Sequence, residues 1–147
     1  HLGAVDCDGH CSPCGRRLAV GRCVMAVRLC LGSIALAIAL GAFGAHGLAS
    51  VVSPARIETW ETANQYHVWT SLILLSVSLV RDQWHFPAWS LRLITAGGVI
   101  FAGSLYLLVL SGHAWLGAIT PIGGIFLISG LIVAAIGCGR NNTPPSP

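Results

Sequence analysis

Three stretches of the chain carry no ionised side chain, and short polar segments separate them: 29–55, 62–80 and 93–139. A helix that crosses about 30 Å of hydrocarbon at about 1.5 Å per residue needs roughly 20 apolar residues. Each stretch approaches or exceeds that length, and the last is more than twice as long. The pattern therefore predicts four membrane-spanning helices. Their expected bounds are about 29–48, 65–80 (or 54–80 where Pro54 opens the helix), 91–110 and 119–137.

The composition excludes a soluble globular domain. The 147 residues are 54% hydrophobic and 9% charged, whereas soluble domains carry about 25% charged residues. Because the expected spans occupy most of the chain, no separate soluble domain fits beside them. The sequence therefore predicts an all-α fold, namely an integral membrane four-helix bundle in contact with the lipid bilayer.

The charged side chains indicate how this bundle lies in the membrane. All eight basic residues are arginines, and the formal net charge is +3. With four spans, every arginine except Arg56 falls on one side, which the positive-inside rule assigns to the cytoplasm. We therefore predict a multi-pass protein of the cell inner (plasma) membrane with both termini in the cytoplasm. The arginines are scattered along loops and form no basic stripe, so the sequence argues against nucleic-acid binding.

Residues 1–24 differ in composition from the rest of the chain, with four cysteines and several glycines. The one methionine, Met25, directly precedes the first apolar run. We therefore expect residues 1–24 to be disordered or a misassigned extension, and residues 140–147 to form a polar tail. In an open alternative, side chains of the extension bind zinc, because Cys and His are common ligands of tetrahedral Zn²⁺. These side chains are Cys7, His10, Cys11 and Cys14.

Small residues recur at regular intervals in the expected helices and indicate where helices pack. Such residues let a second backbone approach closely, and a seven-residue period favours a left-handed crossing. We expect the third and fourth helices to form the closest pair. The packing residues are Gly41 and Gly44 in the first helix, Gly97 and Ser104 in the third, and Gly123, Gly130 and Gly137 in the fourth.

Polar and ionisable residues gather toward the outer ends of the expected helices and define a candidate polar site. Such side chains are costly at membrane depth and often functional, and histidines with carboxylates can bind metals or transfer protons near neutral pH. The simpler interpretation is a set of hydrogen-bonded structural residues. The candidates are His46, Glu58, Glu61, Tyr66, His67, Thr70, Tyr106 and Thr120.

Thr120 also precedes Pro121 at the expected start of the fourth helix. Uncovered backbone N–H groups at such a helix end suit an anion, whereas the alternative gives the following glycines a packing role alone. The sequence contains no nucleophile elbow, phosphate loop or zinc-protease motif. We therefore predict a protein that is not an enzyme, with no catalytic residues and no bound metal or cofactor.

Four short motifs, in this order along the chain, resemble those of the small inner-membrane proteins of the YgdD type, known as domain of unknown function 423. They are Gly41–His46, the region around Tyr66, Phe101–Tyr106 and Thr120–Gly124. The resemblance covers about Met25–Gly139 and implies a four-helix inner-membrane protein without an established activity. Thr70 is a departure, because the family commonly has a histidine there.

Three functions fit these observations. The leading hypothesis is a non-enzymatic membrane component or accessory protein that forms homo-oligomers or binds a membrane protein partner. The alternative is a small-solute or proton transporter or channel. Its path would use the polar stripe His67, Ser71 and Ser78 together with His46 and Tyr106. A metal or haem redox protein built on the outer histidines is the third.

Overall fold

The computed structural model describes the backbone of residues 13–81 and 83–140, and the side chains of residues 21, 23–81 and 83–140. Within these residues the chain forms long α-helices, a π-helical turn, a short 3₁₀ helix and a two-stranded ribbon. The helices are α1 (Pro13–Phe43), α2 (Pro54–Val80), α3 (Ala88–Ser111) and α4 (Thr120–Gly137). The π turn is Gly44–Leu48, the 3₁₀ helix is Ala114–Ala118, and the strands are β1 (Trp84–His85) and β2 (Gly139–Arg140).

The long helices lie side by side, and each packs mainly against its neighbours in the chain. α2 lies between α1 and α3, and α4 packs against α3, while α1 and α4 share no extensive interface in the described part of the chain. The most extensive contact joins α3 and α4, which confirms the pairing expected from their small residues. The all-α fold is confirmed, and its helices form an open row that leaves one side of α1 uncovered.

α1 begins at Pro13, well before the expected start near residue 29. Residues 13–24 of the expected extension are therefore helical, while misassignment of the extension stays a prediction. The zinc alternative also stays open, because its ligands lie outside the described residues, either entirely or as side chains. These ligands are Cys7, His10, Cys11 and Cys14.

The later helices start and end close to the expected positions. α2 starts at Pro54, the earlier of the two starts considered, with Ser53 in an extended conformation before it. Proline fits there because the first N–H groups of a helix have no intrahelical partner. After α3, Gly112 adopts a φ of 74° and its N–H bonds the Leu108 carbonyl at 2.9 Å. Glycine reaches this left-handed conformation without steric cost, so it ends the helix.

Two contacts show which helix ends lie together. The Cys23 thiol donates to the Ser78 carbonyl at 3.4 Å, so the first part of α1 lies beside the end of α2. Trp84 of β1 pairs with Arg140 of β2, which brings the α2–α3 loop to the end of α4. The arginine end, as we call it, carries Arg28, Arg81, Arg92 and Arg140, and the opposite acidic end carries Glu58 and Glu61 with His46.

Among the described residues, three segments are long and apolar enough to cross a membrane: Cys23–Leu48, Ala88–Ser111 and Ala114–Gly137. The expected fourth span, in α2, is not among them. Its first half is too polar, with Glu58, Glu61, Asn64, Gln65 and His67. Because α2 lies inside the row, part of this polar surface faces α1 and α3.

Candidate functional site

The side chain of Trp60 joins α2 to α1 near the acidic end. Trp60 is 2% exposed, and its indole N–H donates to the Leu40 carbonyl at 2.9 Å. A side chain on Gly44 would collide with the indole ring, so the glycine at the start of the π turn makes room for it. Trp60 is thus part of the core of the helix row.

Tyr106 of α3 extends this contact away from the acidic end. Its ring packs edge-on against Trp60, with centroids 4.6 Å apart, and its hydroxyl donates to Asn64 Oδ1 at 3.1 Å. Asn64 in turn lies against Gly41, where an added Cβ would meet the amide group at 2.7 Å. Tyr106 and Asn64 therefore connect α3 to α2, and the absence of a side chain at Gly41 lets α1 approach them.

A chain of hydrogen bonds links α1 to α2 between the arginine end and the acidic end. Ser33 Oγ of α1 lies 3.0 Å from His67 Nε2 and 2.8 Å from Ser71 Oγ. Ser71 is buried. His67 Nδ1 is also buried, and no described residue forms a hydrogen bond with it. We call Ser33, His67 and Ser71 the serine–histidine chain.

Thr70 and Tyr66 belong to the contact between α2 and α3. The Thr70 hydroxyl donates to the Tyr66 carbonyl at 2.8 Å, so it is used within its own helix. The Thr70 methyl group lies against Gly98, where an added Cβ would come within 2.5 Å of it. The Tyr66 ring packs on Phe101 with centroids 4.4 Å apart. Both residues therefore set the spacing of the two helices.

A cleft of about 310 Å³ opens between α1 and α3 over α2, and we call it the central cleft. Its polar part comprises the serine–histidine chain, Tyr106, Thr70 and Thr95. Its apolar part comprises Leu36, Leu40, Leu74, Val99 and Ala102. Ligand pockets of proteins span about 300–1,000 Å³ and combine apolar walls with a few polar groups, so the central cleft has the size and lining of a small ligand site.

A second cavity, of about 470 Å³, lies at the acidic end between α1 and the start of α2, and we call it the outer cavity. Glu58, Glu61 and Gln65 line it, and Trp60 forms part of its wall. Trp60 also packs on Tyr106, which lines the central cleft. The two aromatic rings therefore stand between the outer cavity and the central cleft.

Thr120 lies apart from the other candidates, in the interface between α3 and α4. Its hydroxyl oxygen is 2.9 Å from Ser104 Oγ and 3.5 Å from the Leu116 carbonyl. The side chain thus joins two helices instead of facing an open helix end, and this geometry favours the packing interpretation over an anion site.

Glycines line the rest of the α3–α4 interface. An added Cβ at Gly123 would lie 2.6 Å from the Phe101 nitrogen, and one at Gly97 would lie 2.7 Å from the Leu127 nitrogen. Further along, a Cβ at Gly130 would crowd Ile94 and one at Gly137 would crowd Pro87. Backbone atoms cannot yield as flexible side chains do, so the close approach of these helices depends on glycine.

The structure does not gather the eight candidates into one site. His67, Thr70 and Tyr106 line the central cleft, Glu58 and Glu61 line the outer cavity, Tyr66 and Thr120 lie in helix interfaces, and His46 is exposed in the π turn. Sequence reasoning missed Ser33 and Asn64. The available signal was a polar side chain in each interface, but the sequence alone does not show which face of a helix meets its neighbour.

The chemistry open to these groups is limited. In the part of the chain that the structure describes, no group of three or more His, Cys, Asp or Glu side chains could hold a metal ion. The central cleft offers an imidazole and several hydroxyls, which donate and accept hydrogen bonds. The carboxylates of Glu58 and Glu61 are exposed, where solvent and salt screen their attraction for cations.

The apolar spans and the long helices packed side by side define a multi-pass integral membrane protein. Comparison with known families narrows this class. A family model described as "Protein of unknown function (DUF423)" matches residues 40–124, and the chain belongs to that family. The resemblance drawn from the four short motifs is thereby confirmed.

Relatives match over most of this chain and most of their own length. The UPF0382 membrane protein YwdK of Bacillus subtilis (strain 168) is 41% identical over 123 residues, which cover 76% of this chain and 98% of YwdK. The UPF0382 membrane protein SAB0533 of Staphylococcus aureus (strain bovine RF122 / ET3-1) is 41% identical over 102 residues, covering 69% of this chain and 84% of that protein. Both names state a membrane protein and no activity. No solved structure matches this chain.

Proposed function

We propose that this protein is a non-enzymatic, multi-pass component of the bacterial cytoplasmic membrane that acts through contacts with lipids and other membrane proteins. The observation that carries the proposal is the use of its membrane-embedded polar groups. Ser33 bonds His67, Tyr106 bonds Asn64, and Ser104 bonds Thr120. Each bond joins two helices, so these side chains serve the packing of the row.

The contact with a second copy or another membrane protein is assigned to α1. In its most apolar 18-residue stretch, 6% of the residues are buried, compared with 39% for α3. A Cβ added at Gly32 of α1 would meet no atom within 4 Å beyond the nearby backbone of its own helix. A helix with this much apolar surface contacts lipid or a partner in the bilayer.

For the orientation, we propose that both termini lie in the cytoplasm. The arginine end combines the first part of α1 with the end of α4, and the positive-inside rule assigns such an end to the cytoplasm. This arrangement requires α2 to cross the membrane. Its place between α1 and α3 supports the crossing, because neighbouring helices shield part of its polar surface from lipid.

Native mass spectrometry of the full chain, released from gentle detergent, tests the functional proposal. We expect the spectrum to show the protein with bound lipid, either as an oligomer or in complex with a co-purified membrane protein. We expect no mass that corresponds to bound metal or haem. Gly32→Trp on α1 should reduce the associated forms, whereas Ile125→Trp on the exposed face of α4 should not. A metal, haem or other cofactor retained in a fixed ratio would contradict the non-enzymatic proposal.

Proton or small-solute transport is a second candidate, favoured by the outer cavity and the central cleft lying on either side of Trp60 and Tyr106. If the rings close a path, Trp60→Ala should raise flux into proteoliposomes, while Trp69→Ala, at a position 49% exposed, should leave it unchanged. The measurement is dye-reported proton flux under an imposed pH gradient. Equal background flux for the natural protein and both variants would count against transport of protons.

A further inference from the structure

The serine–histidine chain at the central cleft has a hydrogen to donate that no described residue accepts. Ser33 and Ser71 each have one O–H, and a neutral imidazole has one N–H. When His67 donates to Ser33 and Ser33 donates to Ser71, the Ser71 O–H is left over. When the direction is reversed, the hydrogen left over is on His67 Nδ1, which is buried without a partner.

Every other arrangement of these hydrogens also leaves one unaccepted, because the three side chains carry three hydrogens and share only two short contacts, Ser33–His67 and Ser33–Ser71. Buried polar groups in proteins are nearly always paired, and a hydrocarbon surrounding offers no water to compensate. The remaining donor therefore indicates that a molecule absent from the protein itself completes the chain.

The rest of the central cleft shows which kind of molecule fits. Leu36, Leu74 and Val99 give it apolar walls, and its described lining includes no Asp, Glu, Lys or Arg. Gly103 of α3 also lines it, and an added Cβ there meets nothing within 4 Å. The space in front of Gly103 is thus open, and a charged ligand would find no counter-ion in it.

We propose that the central cleft binds a neutral, lipid-soluble molecule whose polar end accepts a hydrogen bond through a hydroxyl or carbonyl oxygen. The oxygen accepts the O–H of Ser71, because His67 Nδ1 is enclosed by the protein and a molecule in the cleft does not reach it. The apolar part of the molecule lies between α1 and α3. The proposal goes beyond a role in packing, because it gives His67, Ser33 and Ser71 a common ligand.

Photolabelling of the full chain in lipid nanodiscs tests this binding. The probe is a diazirine derivative of octanol, and the matched probe is the same diazirine derivative of octane. We expect the octanol probe to label peptides of α1, α2 and α3 that line the central cleft, and excess unlabelled octan-1-ol to compete. Loss of one hydrogen bond lowers affinity about five-fold, so the octane probe should label these peptides about five-fold less.

Two glycine variants separate filling of the cleft from general effects. Gly103→Leu places a side chain in the open space and should abolish cleft labelling. Gly21→Leu on α1 is the matched control, because an added Cβ there also meets nothing within 4 Å and Gly21 lines neither the cleft nor the apolar stretch of α1 assigned to a partner. Thermal unfolding of both variants checks that they fold. Ser71→Ala provides a second test, and it should lower labelling by the octanol probe but not by the octane probe.

Three results would overturn the proposal. Equal labelling by both probes would show that the central cleft binds the hydrocarbon chain and does not recognise the hydroxyl group. Unchanged labelling in folded Gly103→Leu would place the probe elsewhere. If Gly103→Leu does not fold, unchanged labelling by the octanol probe in Ser71→Ala would show that the serine–histidine chain does not recognise the oxygen.

Discussion

The indole N–H of Trp60 donates to the main-chain carbonyl of Leu40 at 2.9 Å, across the interface between α2 and α1. Leu40 lies one helical turn before Gly44, whose missing side chain admits the indole ring. The ring also packs on Phe43 and on Tyr106. One tryptophan of α2 thus contacts both α1 and α3 near the acidic end.

Shortening this side chain should destabilise the protein more than removing its hydrogen bond. Truncating a buried aromatic residue costs about 3–5 kcal/mol of unfolding free energy, and we expect this loss for Trp60→Ala. Trp60→Phe keeps part of the packing and should cost less, about 1–3 kcal/mol, because it removes the hydrogen bond and leaves a smaller cavity. Denaturant unfolding in detergent micelles measures both. Trp69→Phe, at an exposed position, is the control, and an equal loss there would contradict the role of Trp60.

The bounds of α3 and α4 could be predicted from sequence because charged and turn residues mark them. Arg92 and Arg140 enclose an apolar stretch that only two helices can fill, and Gly112 with His113 divides it. The α3–α4 contact was predictable too, since its glycines repeat every seven residues. In this half of the chain, the helices and the contact between them follow from the spacing of charged, apolar and small residues.

The candidate site was less predictable, because its members meet across helices. Ser33 appears in the sequence as one serine in an apolar helix, and its position opposite His67 depends on the rotation of α1 about its axis. The π turn at Gly44–Leu48 and the early start of α1 at Pro13 leave no clear periodic signal. The polar residues could therefore be identified from sequence, but not which of them lie together.

The α3–α4 interface should distinguish two adjacent glycines. A Cβ at Gly123 would lie 2.6 Å from the Phe101 nitrogen, whereas one at Gly124 makes only ordinary contacts of 3.7 Å or more with the Phe101 ring. Overpacking a tight contact costs about 1–3 kcal/mol, so Gly123→Ala should lower the melting temperature in detergent. Gly124→Ala should change the unfolding free energy by no more than about 0.5 kcal/mol. The same melting temperature for both variants would show that the helices can move apart freely.

At Gly130, a larger side chain extends the same test. An added Cβ would lie 2.9 Å from the Ile94 nitrogen, so Gly130→Leu should disrupt the packing of α4 and reduce the yield of folded protein. His46→Ala, at an exposed residue of the π turn, should leave both unchanged. Size-exclusion chromatography in detergent measures the folded yield. Full yield and stability of Gly130→Leu would argue against a glycine-dependent interface.

Ser33 and His67 should contribute to stability jointly. Hydrogen bonds between membrane helices average about 0.6 kcal/mol and reach about 1.7 kcal/mol, so a double-mutant cycle of Ser33→Ala and His67→Ala should give a coupling energy in that range. Thr59 supplies the control cycle with Ser33, because its hydroxyl donates to Ala55 in its own helix at 2.9 Å and it should show no coupling. Strictly additive losses for Ser33 and His67 would mean that their 3.0 Å contact does not stabilise the row.

The proposed orientation places Cys138 on the cytoplasmic side. Cys138 is exposed and directly follows α4, at the arginine end. In a variant where the other five cysteines are serines, a membrane-impermeant maleimide added to intact cells should not label it, and permeabilisation should restore labelling. His113→Cys, introduced into a variant without other cysteines, is the matched control, because His113 is exposed in the loop at the acidic end and should be labelled in intact cells.

The reverse pattern would place the arginine end outside and contradict the positive-inside assignment. Labelling of both sites in intact cells would contradict it too, because an even number of crossings between them is incompatible with an arginine end and an acidic end on opposite sides of the membrane.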